Sequence, residues 1–87
     1  MKKKIYVVYM LKLANGAYYT GITIDMEKRL QAHYNGCGSK YVRSHLPAKV
    51  VFTKQVEGRS LATQLELAIK SLNHIEKTKL VEESIKW

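Results

Sequence analysis

The pair Asn15-Gly16, set between two runs rich in β-branched and aromatic residues, restricts this chain more than any other feature. Residues 4–13 contain Ile5-Tyr6-Val7-Val8-Tyr9-Met10-Leu11, and Ala17-Tyr18-Tyr19-Thr20-Gly21-Ile22-Thr23 follows the pair. Asn-Gly takes the positive φ of a tight turn at little steric cost, and the flanking residues suit a pleated, half-buried surface. The chain therefore opens with an antiparallel β-hairpin. The apolar part of the first run is too short to span a bilayer, is broken by Lys12, and lacks the small-residue cleavage site of a signal peptide. It reads as a buried strand.

After the hairpin, Asp25 is a candidate helix N-cap, Glu27 suits the positive end of the helix dipole, and Met26, Leu30 and Tyr34 share a face. Asn35-Gly36 ends that helix. Residues 37–47, from Cys37 to Pro47, read as a loop with one helical turn in it, placed where a ligand can be gripped. Lys49–Val56 alternates weakly and reads as a third strand closed by Gly58. From Ser60, the residues Leu61, Leu65, Ala68, Ile69 and Leu72 recur at helical spacing, with Asn73 as the stop. Residues 75–87 form a last amphipathic helix that packs back through Leu80, Val81, Ile85 and Trp87.

With 87 residues there is room for one domain, 1–87 with a core at about 4–82, and the 46% hydrophobic content suits one small core. Fifteen Lys and Arg against seven Asp and Glu give a net charge of +8, and the pI is near 9.7. That balance is the electrostatic footprint of a polyanion ligand, nucleic acid foremost. Cys37 is the one cysteine, which excludes an internal disulfide and suits a reducing compartment, so a cytoplasmic location is expected.

Several residues of chemical interest stand out. Tyr9 and Tyr19 lie on the paired strands, Arg29 and His33 follow at i, i+4 on the first helix, and Glu66 comes much later on the long helix. In this pattern the chain resembles the GIY-YIG nuclease domain, in particular its small single-domain bacterial members. Val7-Val8-Tyr9 stands where that family has its GIY element and Tyr19-Thr20-Gly21 where it has YIG. Gly21-Ile22-Thr23-x-Asp25-x-x-x-Arg29-x-x-x-His33 and Glu66-Leu67-Ala68-Ile69-Lys70 carry the rest. Three positions depart from the family's name, Val7, Val8 and Thr20, and they bear on strand packing more than on chemistry. A late Asn found in some members has only Asn73 as a weak counterpart.

The resemblance implies an α+β fold, a three-stranded antiparallel sheet flanked by helices. It implies an endonuclease that hydrolyses DNA phosphodiester bonds with a single divalent metal, Mg²⁺ or Mn²⁺, held by Glu66. Low sequence specificity, structure-selective cutting in DNA repair or recombination, and a protein partner that supplies specificity are in keeping with it; RNA is left open as a substrate. A carboxylate is a natural ligand for Mg²⁺, which keeps most of its water and needs one or two protein carboxylates besides the substrate phosphate. The planar fork of Arg29 suits two phosphate oxygens and the charge of the transition state. For the base, an ordinary tyrosine costs about 4 kcal/mol to ionise at pH 7 and a histidine almost nothing. Family mechanisms nevertheless favour one of the two tyrosines. The expectation is that either Tyr9 or Tyr19 is the base and the other orients water or phosphate, with His33 as hydrogen-bond partner or proton acceptor. Lys28, Lys40, Arg43 and Lys70 are the candidate phosphate contacts, with Tyr41 between Lys40 and Arg43 placed for base stacking.

Each residue also has a plain structural explanation. The tyrosines are common strand residues, Arg29 and His33 suit the solvated face of a helix, and Glu66 with Lys70 makes an i, i+4 surface pair. Against that, Glu66 lies in line with Ala62 and Ile69, at the edge of the buried stripe. His33, Cys37 and His45 lack the fourth ligand and the spacing of a zinc site. His74 has no evident partner. The rival readings are a nucleic-acid-binding module that keeps the fold without catalysis, and a basic interaction protein with an acidic partner.

Overall fold

The hairpin forms as β1 (Ile5–Lys12) and β2 (Tyr18–Thr23), antiparallel, with Tyr9 opposite Gly21 and Met10 opposite Thr20. The structure, a computed structural model, describes residues 3–36 and 38–85, the last by its backbone alone. The hairpin loop spans Ala14 to Gly16: Gly16 N–H donates to the Leu13 carbonyl at 2.9 Å and Leu13 N–H to the Ala17 carbonyl at 2.9 Å. Gly16, at φ +85°, takes the left-handed position that closes a loop of this length. The Asn15 side-chain oxygen accepts from Ala17 N–H at 3.1 Å, holding the loop from within.

A third strand, β3 (Lys49–Glu57), pairs antiparallel with the other edge of β1, so the sheet order is β2-β1-β3. The weak alternation of β3 has a cause. Met10 pairs with Phe52 but Leu11 pairs with Val50, which leaves Val51 as an extra residue in a bulge. Val51 and Phe52 therefore pack against the same core while Val50 joins the other.

Among the described residues four helices cover the sheet: α1 (Met26–Tyr34), α2 (Lys40–Arg43), α3 (Arg59–Lys70) and α4 (His74–Ile85). Alternate side chains of β1 feed two cores. Val8 and Met10 pack with Ala62 and Ile69 of α3 and Val81 of α4. Tyr9 and Leu11 pack on the opposite face with Val42 of α2, Ala48, and the α1 residues Met26 and Leu30. No helix among the described residues is long and apolar enough to cross a membrane.

Some expectations shift. On α3 the fully buried residues are Ala62 and Ile69, whereas Leu61 and Ala68, placed on the apolar stripe by spacing, are exposed. The stripe is thus rotated toward Glu66, which lies between the two buried positions. Asn73 does not end α3, whose C-cap is Ser71. It starts α4 as a capping box: its side chain accepts from Glu76 N–H at 2.8 Å, and its own N–H donates to the Glu76 carboxylate at 2.9 Å. Asn73, the weak counterpart of the family's late Asn, is thus engaged in this cap. His74 does have a neighbour, the Tyr18 ring at 5.0 Å. The packing expected of Ile85 and Trp87 lies outside what is described.

Thr20 is buried on the α3/α4 side, and its hydroxyl finds no partner among the described residues. A buried hydroxyl without a hydrogen bond costs about 1–3 kcal/mol of desolvation. Thr20→Val, of nearly equal shape, is expected to raise the unfolding free energy by about 1 kcal/mol, read from the denaturant midpoint at constant slope.

Candidate active site

The site grows from the place where β1 and β2 are closest. Tyr9 projects from the central strand toward the backbone of its cross-strand partner Gly21, and a Cβ on Gly21 would lie 2.5 Å from the Tyr9 hydroxyl oxygen and 2.7 Å from its ring carbon Cζ. Only glycine leaves room for that phenol. Its hydroxyl is 3.1 Å from His33 Nε2 on α1. Tyr19 completes the cluster, with ring centroids 6.4 Å from Tyr9 and 5.5 Å from His33.

His33 reaches this position because α1 begins at a fixed point. Thr23, the last residue of β2, accepts through Oγ1 from Asp25 N–H at 3.1 Å, and Asp25 caps the helix by accepting from Lys28 N–H at 3.1 Å. The turn sets the phase of α1, so that His33 becomes its one buried residue at 1% exposure while Arg29, one turn earlier, stays exposed. The apolar spacing pointed to Tyr34 as the inward residue. Tyr34 is instead half exposed, with its hydroxyl donating to the Ala48 carbonyl. Behind the imidazole lies Gly38, where a Cβ would come 2.5 Å from Nδ1. Among the described residues Nδ1 has no hydrogen-bond partner.

Burial governs the electrostatics. The Tyr9 phenol is pushed up to about 12, first by burial and then by Tyr19, with Glu66 adding to the rise and Arg29 opposing it. Ionising it at pH 7 therefore costs about 7 kcal/mol, against about 4 for an exposed tyrosine. His33 is held below the usual histidine value by burial and by the Arg29 guanidinium. At neutral pH both groups of the 3.1 Å contact are uncharged.

Glu66 belongs to the helix on the opposite face of the sheet, yet its charge is felt at Tyr9. Its side chain is 18% exposed and pairs with Lys70 Nζ at 3.4 Å, while Lys70 itself is 52% exposed. The surface pair and the partly buried carboxylate are thus both real. No group of three or more His, Cys, Asp or Glu among the described residues could hold a metal. One carboxylate fits an ion of the Mg²⁺ type, which draws its other ligands from water and substrate, and does not fit zinc. Of the zinc alternative, His33 is engaged with Tyr9, His45 Nδ1 lies 2.9 Å from the Tyr41 carbonyl oxygen, and Cys37 lies outside the described residues.

The candidate phosphate contacts are more scattered. Lys28 neighbours Arg29 on α1, and Lys70 is tied to Glu66. Lys40 and Arg43 sit on α2, exposed, with Arg43 Nη1 reaching the Gly36 carbonyl at 3.5 Å. Tyr41 is anchored rather than free: its ring lies 4.6 Å from that of His45 and its hydroxyl accepts from Asn15 Nδ2 at 3.2 Å. Gly38 was not legible as a site residue, since nothing in its surroundings along the chain signals contact with an imidazole five residues earlier.

A small antiparallel sheet with two tyrosines on its paired strands, an arginine and histidine on the next helix and a glutamate on a later one defines a nuclease class. The chain belongs to the GIY-YIG catalytic domain family, whose model matches residues 5–79. Among its relatives are the UPF0213 proteins, small members of that family. One from Clostridium perfringens is 42% identical over 74 residues, covering 85% of this chain and 80% of that protein. Another, from Photorhabdus laumondii, is 40% identical over 81 residues, covering 93% and 78%. The solution NMR structure of the protein EF2693 from E. faecalis superposes with a TM-score of 0.65 at 35% identity, covering 95% of this chain and 90% of that one. That of a UPF0213 protein from Bacillus halodurans gives 0.59 at 33% identity, covering 90% and 83%. The sheet and helices expected from the resemblance are those found. Val8 and Thr20, two of the departures from the family's name, are buried on the face opposite Tyr9, which explains how they vary without touching the cluster.

Two outcomes follow from the geometry. Gly21→Ala forces the Tyr9 ring from its seat, and a destabilisation of about 1–3 kcal/mol is expected, together with loss of the Tyr9–His33 hydrogen bond; unfolding curves and the His33 imidazole NMR resonances read both. His33 has a folded pKa below its unfolded value near 6.5, so the unfolded chain takes up the proton first as pH falls. Stability is therefore full above about 6.5 and declines as pH drops from there to the folded pKa. His33→Gln is expected to flatten that decline in thermal melts across the range.

Proposed function

We propose that this chain is a divalent-metal-dependent endonuclease that hydrolyses DNA phosphodiester bonds, with Tyr9, Tyr19, Arg29, His33 and Glu66 as its active-site set in one domain spanning about 4–82. Low sequence specificity and preference for a DNA structure belong to this reading, with DNA shape rather than base edges as the feature read. A role in repair or recombination, with a protein partner adding selectivity, is the matching cellular context, and the cytoplasm the matching compartment. The observation that carries the reading is the Tyr9–His33 contact at 3.1 Å, with Tyr19 beside it and the charges of Arg29 and Glu66 both acting on the same phenol.

Glu66 would hold a divalent ion, which when bound would supply Lewis-acid polarisation of the scissile phosphate and relief of charge on the leaving oxygen. Arg29 neutralises charge on the equatorial phosphate oxygens as the P–O bond to the attacking water forms. Tyr9 does not act as a free phenolate, because that state lies about 7 kcal/mol uphill at pH 7. It takes the proton of the attacking water while its own proton passes to His33 Nε2, so no phenolate accumulates. This relay uses the His33 tautomer with its proton on Nδ1. Tyr19 orients the water or the phosphate. The leaving 3′ oxygen takes its proton from solvent.

The test is cleavage of labelled duplex, flap and four-way-junction DNA with Mg²⁺ or Mn²⁺ against a chelator control. Metal-dependent products are expected, lost in Glu66→Ala, and slowed about 10²–10⁴-fold in Tyr9→Phe, the range for loss of a proton-transfer group. A normal rate in Tyr9→Phe would refute the proton relay. Binding without cleavage in every lane would replace the enzyme by a non-catalytic binding module.

A further inference from the structure

Three surface hollows adjoin along one side of the molecule. The first, 380 Å³, is lined by Thr23, Ile24, Lys28 and Arg29 among others. The second, 260 Å³, shares Thr23, Ile24 and Arg29 with it and adds Tyr6 and Arg59. The third, 340 Å³, shares Tyr6 and Arg59 with the second and adds Lys3 and Lys4. The shared walls make one groove, running from the start of α1, past the end of β2, to the junction of β1 with α3.

Five cations border this groove, and none of Lys3, Lys4, Lys28, Arg29 and Arg59 makes an ion pair among the described residues. Asp25 and Glu57 also line it, and the Asp25 carboxylate is engaged in capping α1. The basic end is a built junction. Gly58, at φ +88°, turns β3 into α3, and its N–H donates to the Lys4 carbonyl at 2.8 Å. The Lys3 side chain crosses the glycine, 3.1 Å from where a Cβ would stand. Lys3 and Lys4 are thereby placed beside Arg59, which lies far along the sequence. Between the cations, the Tyr6 ring and the exposed Ile24 offer apolar surface to sugars and bases.

We propose that Arg59, with Lys3 and Lys4, binds successive phosphates of the substrate strand beyond the scissile one, on the side of Arg29 away from Lys28. This inference rests on the nuclease reading and adds to it a path for the strand. Arg29 stands at the junction, lining the groove while its charge acts on Tyr9 and His33. The ligand of the groove is thus the one on which the site acts. These three side chains are positioning residues that do not touch the reacting atoms.

The experiment is DNA binding by fluorescence anisotropy, in chelator, across 50–200 mM salt, comparing the wild type with Lys3→Gln/Lys4→Gln/Arg59→Gln. A Lys49→Gln/Lys54→Gln variant, on exposed positions of β3, serves as control, and circular dichroism checks folding. Loss of three phosphate contacts lowers the slope of log K against log salt by about 2.7, so the wild type loses roughly 40-fold more affinity than the triple variant over that range. A second arm places single neutral methylphosphonate linkages along one strand. They are expected to weaken wild-type binding on one side of the cleavage position and to leave the triple variant unaffected there. A triple variant with wild-type slope and a wild-type response to the neutral linkages overturns the groove while leaving the nuclease reading intact. A wild type that neither binds nor cuts DNA overturns both.

Discussion

The seat of the Tyr9 phenol on the bare backbone of Gly21 is the constraint around which the site is arranged. A side chain of any size at Gly21 would meet the hydroxyl well inside contact distance. With the phenol in place, burial and Tyr19 hold it protonated, and His33 must come as close as it does for the hydroxyl to have a partner. Gly38 then has to leave room behind the imidazole. Two glycines on separate segments thus set the depth of one hydrogen bond, from opposite ends.

That bond sits within the packing of the molecule. Tyr9 belongs to one core and its chain neighbours Val8 and Met10 to the other, so the site is continuous with both layers. Glu66 arrives from the far layer on a helix whose buried residues, Ala62 and Ile69, flank it in sequence. The same packing that anchors α3 in the core therefore positions the carboxylate. The geometry of the candidate site and stability are hard to separate here, because Tyr9 and His33 are also among the most buried residues.

Much of this was legible in the chain. The Asn-Gly signal, the Asp25 cap and the later strand and helix gave the order of elements, and the spacing of Tyr9, Tyr19, Arg29, His33 and Glu66 singled out the residues proposed as the site. What stayed hidden depended on contacts between distant segments. The inward turn of His33 follows from the Thr23–Asp25 turn that sets the phase of α1, which periodicity alone assigns to Met26, Leu30 and Tyr34. The bulge at Val51 blurred the alternation of β3. The meeting of Lys3, Lys4 and Arg59 depends on β1 pairing with β3, which no local pattern reports.

The central strand is also the first to be made, and its second partner is far along the chain: Ile5 pairs with Glu57. While the chain is being synthesised, the hairpin can close early, but the other edge of β1 waits for β3. That edge carries unpaired backbone groups and some of the most apolar residues of the molecule, the features that invite pairing with other chains. Closure of so long a loop is also the slow kind of step in folding. The interval between hairpin formation and the docking of β3 is therefore when a newly made copy is most exposed to aggregation.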